Sequence, residues 1–146
     1  MTGMQTLTIH TDGGARSNPG PAAVGVHLEV GDFELKHGRC IGDTTNNVAE
    51  YSAVIEAIAL IENIIIAGKP QFSSLSFLLD SELVVKQLRG EYRIKEPTLQ
   101  ELAQKVLVGL KALNLPYTFT HVRREHNKMA DALVNAALDD KLALYV

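Results

Sequence analysis

Four carboxylates stand out for where they fall against the apolar pattern. Asp12 closes an alternating segment in which Leu7, Ile9 and Thr11 share one face and Thr8, His10 and Asp12 the other. The Gly13-Gly14 pair after it predicts a sharp exit from that strand, with close access to the backbone. Asp80 follows the short apolar run Ser74–Leu79. If those two strands are parallel neighbours, the carboxylates face each other across a strand spacing of about 5 Å. Glu50 sits four residues before Val54 and continues an apolar helical stripe, so its acid points toward the sheet. Asp131 is in line with Val134 and Leu138 on a later helix. Carboxylates gathered on one edge repel unless something positive joins them, and oxygen-only ligands favour Mg²⁺ or Mn²⁺. A pair of such ions about 3.5–4 Å apart can clamp the attacking water and the leaving oxygen of a phosphodiester.

Each acid also has an ordinary structural role open to it. Asp12 could form a turn, and Asp80 could cap a following helix. Glu50 could complete a capping box begun by Asn47, and Asp131 could answer a helix dipole.

The elements that must position these acids follow from periodicity. Strands are expected at Thr6–Asp12, Ala22–Val30, Phe33–Ile41, Ser74–Leu79 and Tyr117–Val122, with Gly31-Asp32 as a tight hairpin tip. The continuous apolar character of Ser74–Leu79 predicts a strand buried on both faces. Helices are expected at Asn47–Ala67, stopped by Gly68 and Pro70, and at Thr98–Leu113 and Asn127–Leu138, with a short one at Ser81–Leu88. The order β-β-β-α-β-α-α-β-α implies an α/β fold with a mixed sheet, an antiparallel meander joined to parallel strands, flanked by helices. Ligands in such sheets gather at the carboxyl ends of strands, which is where Asp12 and Asp80 fall.

The 146 residues suit one domain, 1–146, with 139–146 as a loose tail. A composition of 46% hydrophobic and 21% charged residues excludes disordered and low-complexity classes. The most apolar stretch, Val54–Ala67, is interrupted by Glu56, Glu62 and Asn63, so no membrane-spanning helix and no membrane partner are expected. No signal peptide is visible, and the single cysteine, Cys40, suits a reducing cytoplasm and reads as a small buried residue. The net charge of −3 is unevenly spread. Nine Lys/Arg face four Glu between Lys86 and Lys128, which leaves five bases against thirteen acids elsewhere. A basic face beside an acidic one is compatible with nucleic acid, and equally with ordinary solvated helices.

Four segments carry a resemblance. Thr11-Asp-Gly-Gly-Ala-Arg-Ser-Asn-Pro-Gly-Pro21, Thr44-Thr-Asn-Asn-Val-Ala-Glu-Tyr51, Leu79-Asp-Ser-Glu-Leu-Val-Val-Lys-Gln87 and Arg123-Arg-Glu-His-Asn-Lys-Met-Ala-Asp131 run in the order and near the spacing of the type 1 ribonuclease H family, and they span almost the whole chain. The resemblance implies a ribonuclease H-like fold and a monomeric, metal-dependent endoribonuclease. Such an enzyme cuts the RNA strand of RNA–DNA hybrids and leaves 5′-phosphate and 3′-hydroxyl ends. It makes Asp12, Glu50, Asp80 and Asp131 the catalytic, metal-binding set for two Mg²⁺ ions, with Mn²⁺ as a substitute. It assigns substrate contacts to Gly13, Asn18, Thr45, Asn46, Asn47, Ser81 and Asn127. Amides of this kind can read 2′-hydroxyls and groove edges.

The chain departs from the family pattern in three places. Glu82 stands where many relatives carry Gln. The basic helical protrusion of some bacterial members is missing, with Arg89, Arg93 and Lys95 as a smaller substitute. The loop before the last helix is short, so His126 and Arg124 are the nearest stand-ins for a histidine that relatives carry on a longer loop. His10, His27 and His37 alternate within strands and read as structural. Three other classes remain open: another nuclease of the same fold, a non-catalytic nucleic-acid-binding module with a decayed site, and a structural domain whose acids are only caps. A substrate panel separates the first, the presence of all four acids counts against the second, and the third predicts no metal response.

Overall fold

The computed structural model describes residues 5–145. Five strands form one sheet: β1 (Thr6–Ala15), β2 (Gly20–Val30), β3 (Phe33–Thr44), β4 (Ser74–Leu79) and β5 (Tyr117–His121), in spatial order β3-β2-β1-β4-β5. The meander β1-β2-β3 is antiparallel, whereas β4 runs parallel to β1 and β5 parallel to β4. The helices are α1 (Asn46–Ala67), α2 (Glu82–Leu88), α3 (Pro97–Leu113) and α4 (Lys128–Leu138). The α/β mixed-sheet expectation holds, including the hairpin tip, where Val30 pairs with Phe33 across Gly31-Asp32.

The strand alternation decides the layers. Leu7 and Ile9 of β1, Leu75, Phe77 and Leu79 of β4, and Val26 and Leu28 of β2 bury against α1 and α3 as the main core. On the opposite face a smaller cluster forms where Ala23 of β2 meets Val134 and Ala137 of α4. Two glycines let helices come this close. A Cβ on Gly25 would lie 2.2 Å from the Ala130 carbonyl oxygen of α4, and one on Gly13 would lie 2.1 Å from the Ala49 carbonyl oxygen of α1.

That contact corrects the expected turn at Gly13-Gly14. Strand β1 continues through Ala15, with Gly13 paired to Val24 and Gly14 to Ala23. Gly13 is needed because α1 lies on it, not because the chain bends. A second correction concerns β4, which alternates buried and half-buried residues instead of being covered on both faces. Its far face is only partly covered because α4 packs chiefly on β2, β3 and β1. Cys40 is exposed, not buried, though its thiol donates to the Ala137 carbonyl at 3.2 Å. Leu142 packs onto the smaller cluster, so part of the segment expected as a loose tail folds back; Val146 lies outside the described residues. Helices α1 and α3 each begin one residue earlier than expected, α3 with Pro97 in its first turn, where a missing N–H goes unnoticed. No described helix is long and apolar enough to cross a membrane.

Candidate metal centre

The parallel register of β1 and β4 builds the site. Thr11 pairs with Leu79, so the next residues, Asp12 and Asp80, stand side by side at the carboxyl edge. Close packing of α1 on Gly13 brings Glu50, in the next helical residue after Ala49, over the same edge. One carboxylate oxygen from each of Asp12, Glu50 and Asp80 lies within 4.8 Å of the others. Asp131, in the first turn of α4, lines the same cleft as Asp12 and Glu50, near enough for its charge to act on Asp12.

Two of the ordinary roles open to these acids are taken by neighbours. The α1 cap is Thr45, whose hydroxyl accepts from the Val48 N–H, so Asn47 and Glu50 form no capping box. The α2 cap is Ser81, whose hydroxyl accepts from the Val84 N–H, so Asp80 is not the cap. The Asp12 side chain is half-buried and surrounded by acid. Desolvation, then the charges of Asp80, Asp131 and Glu50, push its pKa from 3.8 up to about 8. Burial raises Glu50 from 4.5 to about 7, while the Ser81 hydroxyl and the Arg124 charge pull the other way and Asp80 adds to the rise. Such a set of oxygen donors, short of positive charge, fits a hard divalent cation.

Around the acids the cleft is lined by Asn46, Arg124 and Arg16 among others. Asn46 Oδ1 accepts from the Ala15 N–H at 2.8 Å, and Asn18 Oδ1 accepts from the Asn46 N–H at 2.9 Å. These two bonds tie the end of β1, the β1–β2 turn and the start of α1 together. They engage the amide oxygens, and among the described residues neither NH₂ group has a partner. Asn47 is half-buried beside them. Gly13 also lines the cleft, but it is buried beneath α1 and supplies clearance for the helix. Asn127, expected as a substrate contact, is 1% exposed. Its Nδ2 donates to the Thr11 carbonyl at 2.9 Å and to Asp80 Oδ2 at 3.3 Å, so it braces the site from behind. Arg124 faces the acids, whereas His126, in the same 3-10 turn, is exposed and does not line the cleft.

Sequence reasoning passed over two supports and read a third only as a structural strand histidine. Arg16 donates to Asp139 at 2.6 Å and to Asn135 at 3.3 Å, fastening the β1–β2 turn to the end of α4. Tyr51, fully buried next to Glu50, donates to Gln87 of α2 at 2.7 Å. Burial and the Glu50 charge raise its phenol to about 12. The third is His10, 3.0 Å from Asn127 Oδ1. For Arg16 and Tyr51 a signal existed, since each lies inside a segment that carries an acid. Long-range pairing of the His10 kind leaves none. The other strand histidines are structural as expected: His27 meets Glu34 at 2.6 Å and His37 meets Glu56 at 2.7 Å.

A five-stranded mixed sheet with acids converging at the ends of its first and fourth strands defines the ribonuclease H-like class. The family described as "Reverse transcriptase-like" matches residues 10–137. Ribonuclease HI of Halobacterium salinarum is 41% identical over 134 residues, 88% of this chain and 62% of that protein. Ribonuclease H of Ruthia magnifica is 32% identical, with 93% of this chain and 97% of that protein covered. The crystal structure of LC11-RNase H1 in complex with RNA/DNA hybrid superposes with a TM-score of 0.81 at 40% identity, covering 93% of this chain and 99% of that one. The chain belongs to the type 1 ribonuclease H family. It spans less than two thirds of the Halobacterium protein and 35% of several mycobacterial relatives.

Proposed function

We propose that this chain is a divalent-metal-dependent endoribonuclease that hydrolyses the RNA strand of RNA–DNA hybrids and leaves 5′-phosphate and 3′-hydroxyl ends. The observation that carries this reading is the convergence of Asp12, Glu50 and Asp80 within 4.8 Å, with Asp131 against Asp12. These four residues would hold Mg²⁺ or Mn²⁺. Bound there, a pair of ions would lower the pKa of the attacking water and stabilise the departing 3′-oxygen.

The remaining work belongs to the chain's own groups. Asn127 holds Asp80 in place through Nδ2. Arg124 supplies fixed positive charge beside Glu50, where a scissile phosphate would bring negative charge. Asn18 and Asn46 anchor their own oxygens and can offer their NH₂ groups to the minor groove, where 2′-hydroxyls mark the RNA strand. Asn47 completes that surface. Thr45 and Ser81 use their hydroxyl oxygens as helix caps; the Thr45 hydroxyl proton can still donate to a phosphate, while that of Ser81 is turned to Glu50. Support for hybrid as substrate comes from the LC11-RNase H1 complex with RNA/DNA hybrid.

Labelled RNA–DNA hybrid, duplex DNA and duplex RNA, each incubated with and without Mg²⁺, test the reading. Metal-dependent cutting of the RNA strand of the hybrid, with 5′-phosphate on the products, is the expected result. Cutting of duplex DNA instead would point to another nuclease of the fold, and no cutting under any metal would reduce the chain to a binding module.

A further inference from the structure

We propose that His10 is a positioning residue for Asp80, acting through Asn127. The inference rests on the reading of Asp80 as a metal ligand and adds a residue that the acid set does not include. Asn127 is buried, and its amide bonds in three directions: Nδ2 to the Thr11 carbonyl at 2.9 Å, Nδ2 to Asp80 Oδ2 at 3.3 Å, and Oδ1 to His10 Nδ1 at 3.0 Å. Two of these three partners are pure acceptors, so both amide hydrogens are committed to them. Oδ1 must then face His10, and an amide oxygen accepts only from a donor. The imidazole therefore carries its proton on Nδ1.

Strand β1 thus braces Asp80 from two adjacent residues. Thr11 offers its carbonyl, and His10, one step back and on the Asp12 face, offers its ring N–H. Turning the amide over would set Oδ1 against the Thr11 carbonyl and the Asp80 carboxylate, acceptor against acceptor. Those two acceptors set the amide's orientation, and His10 supplies the donor that satisfies its buried oxygen and anchors its third corner. Without its donor, Oδ1 is buried with no partner, the amide loses one of its three anchors, and Asp80 is held less firmly. Groups that orient metal-binding side chains in this way typically alter metal affinity by about 10–100-fold when removed.

The first test needs no variant. ¹⁵N imidazole shifts of the whole protein, at a pH where His10 is neutral, should show the Nδ1–H tautomer; an Nε2–H ring would overturn the proposal. The second measures Mn²⁺ binding by calorimetry, without substrate, alongside melting. His10→Phe keeps a ring but removes the donor, and it should weaken Mn²⁺ binding about tenfold. His10→Gln restores a donor and should recover most of that affinity, which a purely structural role would not demand. In an Asn127→Ser background His10→Phe should add little, because the bond it breaks is already gone. Parent-like Mn²⁺ binding by folded His10→Phe, or additive losses in the double variant, would refute the positioning role. Asp80→Asn separates the two levels of argument. If it weakens Mn²⁺ binding while His10→Phe does not, only this inference falls; if Asp80→Asn has no effect, the metal reading of the site falls with it.

Discussion

Asp12 and Asp80 occupy equivalent places on parallel neighbours, each one residue beyond the Thr11–Leu79 pair. The register of the sheet thereby sets the two backbones side by side, and the two carboxylates leave from neighbouring strand ends. Their repulsion is built into the fold, and a cation offsets it. Asp12→Asn should therefore abolish cleavage of hybrid while leaving the fold intact. The metal-free variant should be more stable than the parent by about 1 kcal/mol or more, since each unit of pKa displacement corresponds to about 1.4 kcal/mol. Melting in chelator and turnover in Mg²⁺ check the two halves; parent-like turnover would remove Asp12 from the metal site.

The same repulsion sets a pH dependence. An unfolded chain releases the Asp12 proton near 3.8, whereas the folded protein keeps it up to about 8. Glu50 behaves alike between 4.5 and about 7. Over that window the folded state binds more protons than the unfolded one, so the stability of the metal-free protein falls as pH rises. The slope is at most about 1.4 kcal/mol per pH unit for each group that stays protonated. Glu56, lowered by Arg39 and then His37, acts in the opposite sense, but its contribution is lost only as pH falls below the ordinary carboxylate range. Chemical denaturation in chelator from pH 5 to 8 should show declining stability in the parent and a flatter profile in Asp12→Asn. A rising profile in the parent would show that the acids are not raised.

Much of this site was legible in the residues themselves. Strand ends followed by Asp, and an acid extending an apolar helical stripe, locate Asp12, Asp80 and Glu50 without tertiary information. What stayed hidden depends on contacts between distant segments. Gly13 has the local signature of a turn, and only the approach of Ala49 explains why the strand runs on through it. The partly covered face of β4 follows from where α4 happens to lie, which strand composition does not encode. Asn127 carries a residue type that suits either a groove contact or a buried brace, and its partners His10 and Asp80 are 117 and 47 residues away.

The asparagines at the start of α1 should separate by stability. Since Thr45 is the cap, Asn47→Ala removes no capping bond and should change stability by less than about 0.5 kcal/mol. Asn46→Ala removes the acceptor for the Ala15 N–H and should lose about 1 kcal/mol. Both should raise the KM for hybrid with a smaller change in kcat, if their NH₂ groups touch the groove. A KM unchanged in Asn47→Ala would take that residue out of the substrate surface.

Arg124 and His126 looked equivalent as sequence, and the structure separates them. Arg124 lines the acid cleft and pulls the Glu50 pKa downward; His126 stands exposed outside it. A fixed guanidinium facing a phosphate stabilises charge that grows during cleavage, and removing one such group typically lowers kcat by about 10²–10³. Arg124→Ala should fall in that range, with Arg124→Lys recovering part of the loss because a point charge replaces only some of the fork. His126→Ala should stay close to the parent. Metal-free Arg124→Ala should also hold the Glu50 proton to higher pH, since the one positive charge opposing its rise is gone. Single-turnover rates on a defined hybrid, with a carboxyl titration of the metal-free proteins by NMR, measure both effects. A large loss in His126→Ala with none in Arg124→Ala would reverse the assignment.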